Sequence, residues 1–118
     1  MILSCKTGDF FVYYIMAEIV KQGEVDVAGT ILYIGTASSV LTKILSLRFY
    51  NSSAYRLILE RYDSISATSE TIYELNLSAG DSVTDDFQYA LKEGDELVVY
   101  SNIPGTTYYL YGIDYASS

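Results

Sequence analysis

Leu77-Ser78-Ala79-Gly80-Asp81 and Leu91-Lys92-Glu93-Gly94-Asp95-Glu96-Leu97 decide the fold of this 118-residue chain. Each sets a Gly-Asp pair between short β-like runs, and the two glycines stand 14 residues apart. Glycine accepts the positive φ of a tight turn, and an aspartate beside it bonds its own backbone. Turns at that spacing read as hairpins, and a succession of hairpins reads as an antiparallel β domain.

Outward from those turns, the apolar period is two rather than 3.6 from Glu18 onward. Ile19 to Gln22 and Glu24 to Ala28 form short alternating pieces joined at Gly23. Thr30-Ile31-Leu32-Tyr33-Ile34 is a strand closed by the small-residue loop Gly35-Thr36-Ala37-Ser38-Ser39. Thr42 to Tyr50 follows, with Leu45, Leu47 and Phe49 on one face and Ser46 and Arg48 on the other, and ends in the turn Asn51-Ser52-Ser53. Tyr55, Leu57 and Leu59 then alternate with Arg56 and Glu60, the clearest half-buried strand of the chain. Beyond a polar loop from Asp63 to Ser69, Tyr73, Leu75 and Leu77 alternate with Glu74 and Asn76. Ser82 to Ala90 and Glu96 to Ser101 come next, and Pro104-Gly105 suits a type II turn before the last strand, Thr106 to Asp114. The pattern predicts an all-β fold, an antiparallel β-sandwich or jelly roll of about eight short strands.

Composition narrows the function classes. The chain's 13.1 kDa suits one domain, and a chain of this length buries roughly two-thirds of the surface its unfolded form exposes. Seven basic against fifteen acidic residues give a net charge of −8, which excludes direct nucleic-acid binding and disfavours an anionic membrane surface. No apolar run approaches the ~20 residues of a membrane span. Cys5 is the sole cysteine, so no disulfide can form within the chain. Histidine, the usual acid–base residue near neutral pH, is absent. Asp85 and Asp86, as strand neighbours, aim at opposite faces, and Asp81 and Asp95 read as turn formers. No catalytic residue and no cofactor is therefore assigned. Asp81, Asp85, Asp86 and Asp95 are hard oxygen ligands of the kind calcium takes, but no Asp-x-Asp-x-Asp-Gly loop is present and no metal ligand is assigned.

Tyrosine is the compositional outlier, with 13 against 4 phenylalanines. Tyr108, Tyr109, Tyr111 and Tyr115 make both faces of the last strand apolar or aromatic. Such a strand is central in the fold or pressed between subunits. Tyr108, Tyr109 and Tyr111 are thus candidates for an oligomer interface, together with Phe10, Phe11, Tyr13 and Tyr14 of the N-terminal aromatic run. A carbohydrate-binding or receptor-binding role is the alternative, and it requires exposed tyrosines along one sheet face or in a loop cleft.

The aromatic run divides the chain into residues 1–15 and a single sandwich domain over 16–118. As a signal peptide the run is poor, because Lys6 is its one basic residue and Asp9 interrupts it. Met16-Ala17-Glu18-Ile19 reads like an ordinary start, and an apolar arm that docks on a neighbouring subunit is the other reading. The arm is the expectation adopted.

The order of these motifs resembles small β-sandwich proteins of tailed-phage virions. That family's pattern is a Leu-Tyr strand, a small-residue loop, a strand ending in an Asn-x-Ser turn, a further strand, two Gly-Asp turns and a closing strand. Here the pieces are Thr30 to Ile34, Gly35 to Ser39, Lys43 to Tyr50, Asn51-Ser52-Ser53, and the two Gly-Asp turns, so the likeness covers residues 29–114. Gly35-Thr36-Ala37 stands where the family often has Pro-Ala-Gly, and the aromatic N-terminus has no counterpart. The resemblance implies an accessory structural protein located in the virion, decorating the capsid or associated with a collar or tail fibre. It also implies a homotrimer whose partners are itself and other virion proteins, with no catalytic residues to carry over.

Overall fold

The computed structural model describes residues 2–7, 10–36 and 40–117, and the side chains within 16–36 and 41–115. Ten strands run through the described residues. They are β1 (Ile2–Thr7), β2 (Phe10–Glu24), β3 (Thr30–Ile34), β4 (Val40–Tyr50), β5 (Tyr55–Asp63), β6 (Thr68–Leu77), β7 (Ser82–Asp85), β8 (Tyr89–Leu91), β9 (Glu96–Ser101) and β10 (Thr107–Ser117). One sheet has the order β1-β2-β10-β4-β7, with β8 also on β4, and the other has the order β3-β9-β5-β6. Every pairing is antiparallel. The fold is the expected all-β sandwich.

Alternation builds the core. Leu97 and Val99 of β9 and Tyr55, Leu57 and Leu59 of β5 point inward from the four-stranded sheet. Ile44, Leu47 and Phe49 of β4 and Leu110 of β10 meet them from the other. The two Gly-Asp turns have the positive φ expected of them, +80° at Gly80 and +81° at Gly94. Neither closes a hairpin: β6 and β7, like β8 and β9, belong to different sheets, so each turn carries the chain across the sandwich. Gly105, at +89°, does the same beside Pro104.

Four stretches of strand and loop differ from the sequence expectation. Ser82 to Ala90 is two strands rather than one, because the Asp85 carboxylate turns inward and accepts the Phe87 N–H at 2.9 Å. Gln88 then takes φ +61° and the chain leaves the ladder. The piece expected from Glu24 to Ala28 is not a strand of its own: Glu24 ends β2 and residues 25–29 turn. Val25 is buried with its N–H donating to the Thr106 carbonyl, and Asp26 closes the bend by accepting from the Ala28 and Gly29 amides. In β4 the register on β10 shifts at Leu45, so Ile44 and Thr42 point inward with Leu47 and Phe49, while Leu45 is the extra, half-buried residue. The polar loop after β5 is also shorter than expected, since β6 begins at Thr68.

β2 runs unbroken from Phe10 to Glu24, so position 15/16 lies within a strand. Its backbone pairs with β1 from Phe10 to Ile15, and from Tyr14 to Glu24 with β10. Among the described residues, Met16–Glu24 have a strand on one side only. The side chains of Phe10, Phe11, Tyr13 and Tyr14, and that of Cys5, lie outside the described residues.

Tyrosine hydroxyls join the two sheets. Tyr33 donates to Asp114 Oδ2 at 3.0 Å, Tyr55 to the Asp81 carbonyl at 2.9 Å, and Tyr73 to Asp85 Oδ2 at 2.8 Å. Thr42 also donates to Asp114, and Tyr89 to Asp85 Oδ2 at 2.7 Å. A tyrosine buries a large ring while its hydroxyl satisfies a polar group that phenylalanine would leave stranded. Burial, then the Asp85 hydrogen bond and charge, raise the Tyr73 and Tyr89 phenols well above their usual range. A phenol raised in the folded state contributes stability that is complete below the unfolded value of 10.0 and is lost above it. The urea midpoint should therefore hold steady from pH 8 to 9.5 and fall steeply beyond pH 10. Tyr73→Phe should cost about 1.5–3 kcal/mol at pH 8, the worth of a hydrogen bond to a charged group, and should shrink the alkaline fall.

Candidate functional site: the outer face of the six-stranded sheet

β10 is the central strand of its sheet, and burial of Leu110 and Gly112 turns Tyr109, Tyr111, Ile113 and Tyr115 to the opposite face. The ladders with β2 and β4 place each of these in a cross-strand row. The rows are Met16–Tyr115–Leu41, Glu18–Ile113–Lys43, Val20–Tyr111–Ser46, Gln22–Tyr109–Arg48 and Glu24–Thr107–Tyr50. Val20 is 55% exposed and Leu41, Tyr50 and Tyr109 are each 42% exposed. These side chains form one apolar and aromatic band along the sheet, of a kind that single chains rarely leave uncovered.

The charges on this face are mostly engaged within it. Glu18 accepts from the Tyr111 hydroxyl at 3.3 Å, and the Lys43 ammonium lies 5.8 Å from the centre of the Tyr115 ring. Glu24 accepts the Gly105 N–H at 2.9 Å. Burial, then the Glu18 charge, raises the Tyr111 phenol. Arg48 makes no ion pair among the described residues. Between Tyr109 and Tyr50 the smaller Thr107 leaves an open groove of about 700 Å³, which Gln22, Glu24 and Arg48 also line.

Of the interface candidates read from sequence, Tyr109 and Tyr111 lie on this face. Tyr108 points the other way and packs on the core. Val20, Leu41 and Tyr50 belong to the band and escaped the sequence reading, although Val20 stood in an alternating run and Tyr50 in a recognised strand. The four candidate acids are dispersed. Asp85 and Asp95 are buried, each bonded by several internal donors, whereas Asp81 and Asp86 are exposed. Among the described residues no three His, Cys, Asp or Glu side chains gather where they could hold a metal ion.

The chain matches no family model and no curated protein. Among solved structures, it is similar to a chain of the disulfide-linked pili of Bacillus endospore appendages, with a TM-score of 0.52 and 12% identity over 97% of this chain and 96% of that one. A chain of infectious bursal disease virus, Gx strain, aligns with a TM-score of 0.47 and 11% identity over 96% of this chain and 36% of that one. The Eiger TNF of S. frugiperda aligns with a TM-score of 0.40 and 14% identity over 89% of this chain and 92% of that one. At these identities the pilus chain shows a shared fold and nothing narrower.

Proposed function

We propose that this chain is a non-enzymatic structural subunit that self-associates, and that its assembly is part of a tailed-phage virion, as capsid decoration or at a collar or tail fibre. The observation that carries the reading is the band on the outer face of β10, where Tyr109, Tyr111, Ile113 and Tyr115 stand together with Val20, Leu41 and Tyr50. The inward acids serve the fold, since the buried Asp85 and Asp95 and the half-buried Asp114 are each engaged by hydroxyl, amide or guanidinium donors. Support for the virion comes from the order of motifs over residues 29–114. The pilus likeness adds that this fold also occurs in a chain that assembles.

Residues 1–15 act in this proposal as a docking arm. Met16–Glu24 keep their ladder on β10 without them, so a chain lacking 1–15 should fold. It should also incorporate into particles at least tenfold less well, because burying each large apolar ring is worth about 1.5–3 kcal/mol. Mass spectrometry of purified particles tests both statements. The intact polypeptide should be present and the truncated one depleted, whereas absence of the intact chain from particles contradicts the virion assignment.

A second reading, saccharide binding, is favoured by one observation. Tyr50 and Tyr109 flank a groove that also presents the Gln22 amide and the Arg48 guanidinium, an aromatic and polar mixture suited to a sugar ring. Glycan-array binding that disappears in Tyr109→Ala would support it.

A further inference from the structure

The two outer faces of the sandwich carry complementary unpaired charge. On the six-stranded sheet, Glu18 and Glu24 are hydrogen-bonded within the chain and Lys43 lies over Tyr115, which leaves Arg48 as the charge with no partner among the described residues. On the four-stranded sheet, burial of Leu57, Leu59, Leu97 and Val99 turns Arg56, Ile58, Glu60, Glu96, Val98 and Tyr100 outward. There Arg56 pairs with Glu74; Glu60 meets the Tyr100 hydroxyl on its own face, and neither Glu60 nor Glu96 has a cation among the described residues. The register sets Glu60 beside Val98 and Glu96 beside Tyr62. These four, with Ile31 and Tyr100, line a groove of about 350 Å³. Ile31 is itself 48% exposed, so this face too mixes apolar surface with its free charge.

We propose that copies of this chain meet heterologously, the outer face of the six-stranded sheet of one copy on the outer face of the four-stranded sheet of the next, with Arg48 against Glu60 and Glu96. The inference rests on the self-association argued above and adds which surfaces meet. A six-stranded face placed on its own copy offers Arg48 only Glu18 and Glu24, whose carboxylates already accept the Tyr111 hydroxyl and the Gly105 N–H, and leaves Glu60 and Glu96 without a cation. A contact between unlike faces satisfies all three and covers both apolar surfaces. Such contacts build rings when the rotation closes and open files when it does not, and they never build a two-fold dimer.

Charge exchange tests this on the full chain by sedimentation velocity. Arg48→Glu alone and Glu60→Arg alone should each raise the concentration needed for assembly at least tenfold, since each sets like charges across the contact. An equimolar mixture of the two variants should recover assembly, because each then offers the other complementary faces, and the double variant should recover it alone. If the wild type assembles and Arg48→Glu weakens it while Glu60→Arg has no effect, the six-stranded face meets its own copy and the heterologous contact is wrong. Assembly insensitive to both changes also overturns it. Either result leaves self-association standing. A wild-type chain that stays monomeric removes the self-association reading itself.

Discussion

Gly35→Ala should yield a chain that is destabilised by more than about 3 kcal/mol, beyond the usual cost of overpacking, or that is recovered only as aggregate. Gly35 is buried where β3 ends, and it is tied to the β8–β9 turn from both sides. Its N–H donates to the Asp95 carbonyl at 2.9 Å, and its carbonyl accepts the Gly94 N–H at 2.9 Å. A methyl group on Gly35 would stand 1.9 Å from the Lys92 carbonyl oxygen and 2.6 Å from its carbon. Both atoms are backbone, so no side chain can swing away, and the turn itself must move. Gly80→Ala is the matched control. Nothing lies within 4 Å of a methyl group there, and the penalty is confined to φ +80°, about 1 kcal/mol. Urea denaturation of the two variants separates crowding from backbone conformation.

Asp95→Ala should cost about 3–5 kcal/mol, the range for removing one partner of a buried charge-assisted network. Asp95 is fully buried, and its Oδ1 accepts the Ser64 N–H at 2.9 Å and the Ser64 hydroxyl at 3.0 Å. Its Oδ2 accepts from Arg61 at 3.1 Å and from the Lys92 N–H at 3.2 Å, with the Lys92 ammonium 3.8 Å away. Burial alone would raise this carboxyl, but the Ser64 and Lys92 amides, the Ser64 hydroxyl and the Lys92 charge outweigh it and hold it below the usual carboxylate value. A carboxyl depressed by folding contributes stability that is present above its unfolded value of 3.8 and is lost as pH falls through its folded value. Wild-type stability should accordingly drop between pH 4 and pH 2, and Asp95→Asn should show a smaller drop from a lower starting point. Paired urea curves at pH 7 and pH 3 read both effects.

What sequence revealed here depended on how local the cause was. Thr30–Ile34 and Glu96–Ser101 form strands with the bounds that alternation gave, and the glycine turns follow from chemistry within three or four residues. The break between β7 and β8 is made locally, by Asp85 on the Phe87 N–H, but the partners that receive the inward-turned Asp85 include Tyr73 on the other sheet, which a short window does not contain. The face of each β4 residue depended on a bulge. One extra residue at Leu45 reverses inside and outside for everything before it, and Leu45, Leu47 and Phe49 cannot then share a face. The same limit hid the candidate site. Tyr109 and Tyr111 could be proposed from one strand, but their neighbours Val20 and Tyr50 are joined to them only by the ladders of β2 and β4. The role of tyrosine as a tie between sheets was likewise invisible, because composition reports its excess and not the partners of its hydroxyls.

Self-association is the claim on which the functional reading stands, and sedimentation velocity of the full chain at micromolar concentration tests it most directly. The expected species is a homo-oligomer whose mass is a whole multiple of 13.1 kDa, three chains being the number the phage resemblance implies, and it should dissociate when Tyr109 and Tyr111 are both changed to serine. A single species of 13.1 kDa across that concentration range would contradict it.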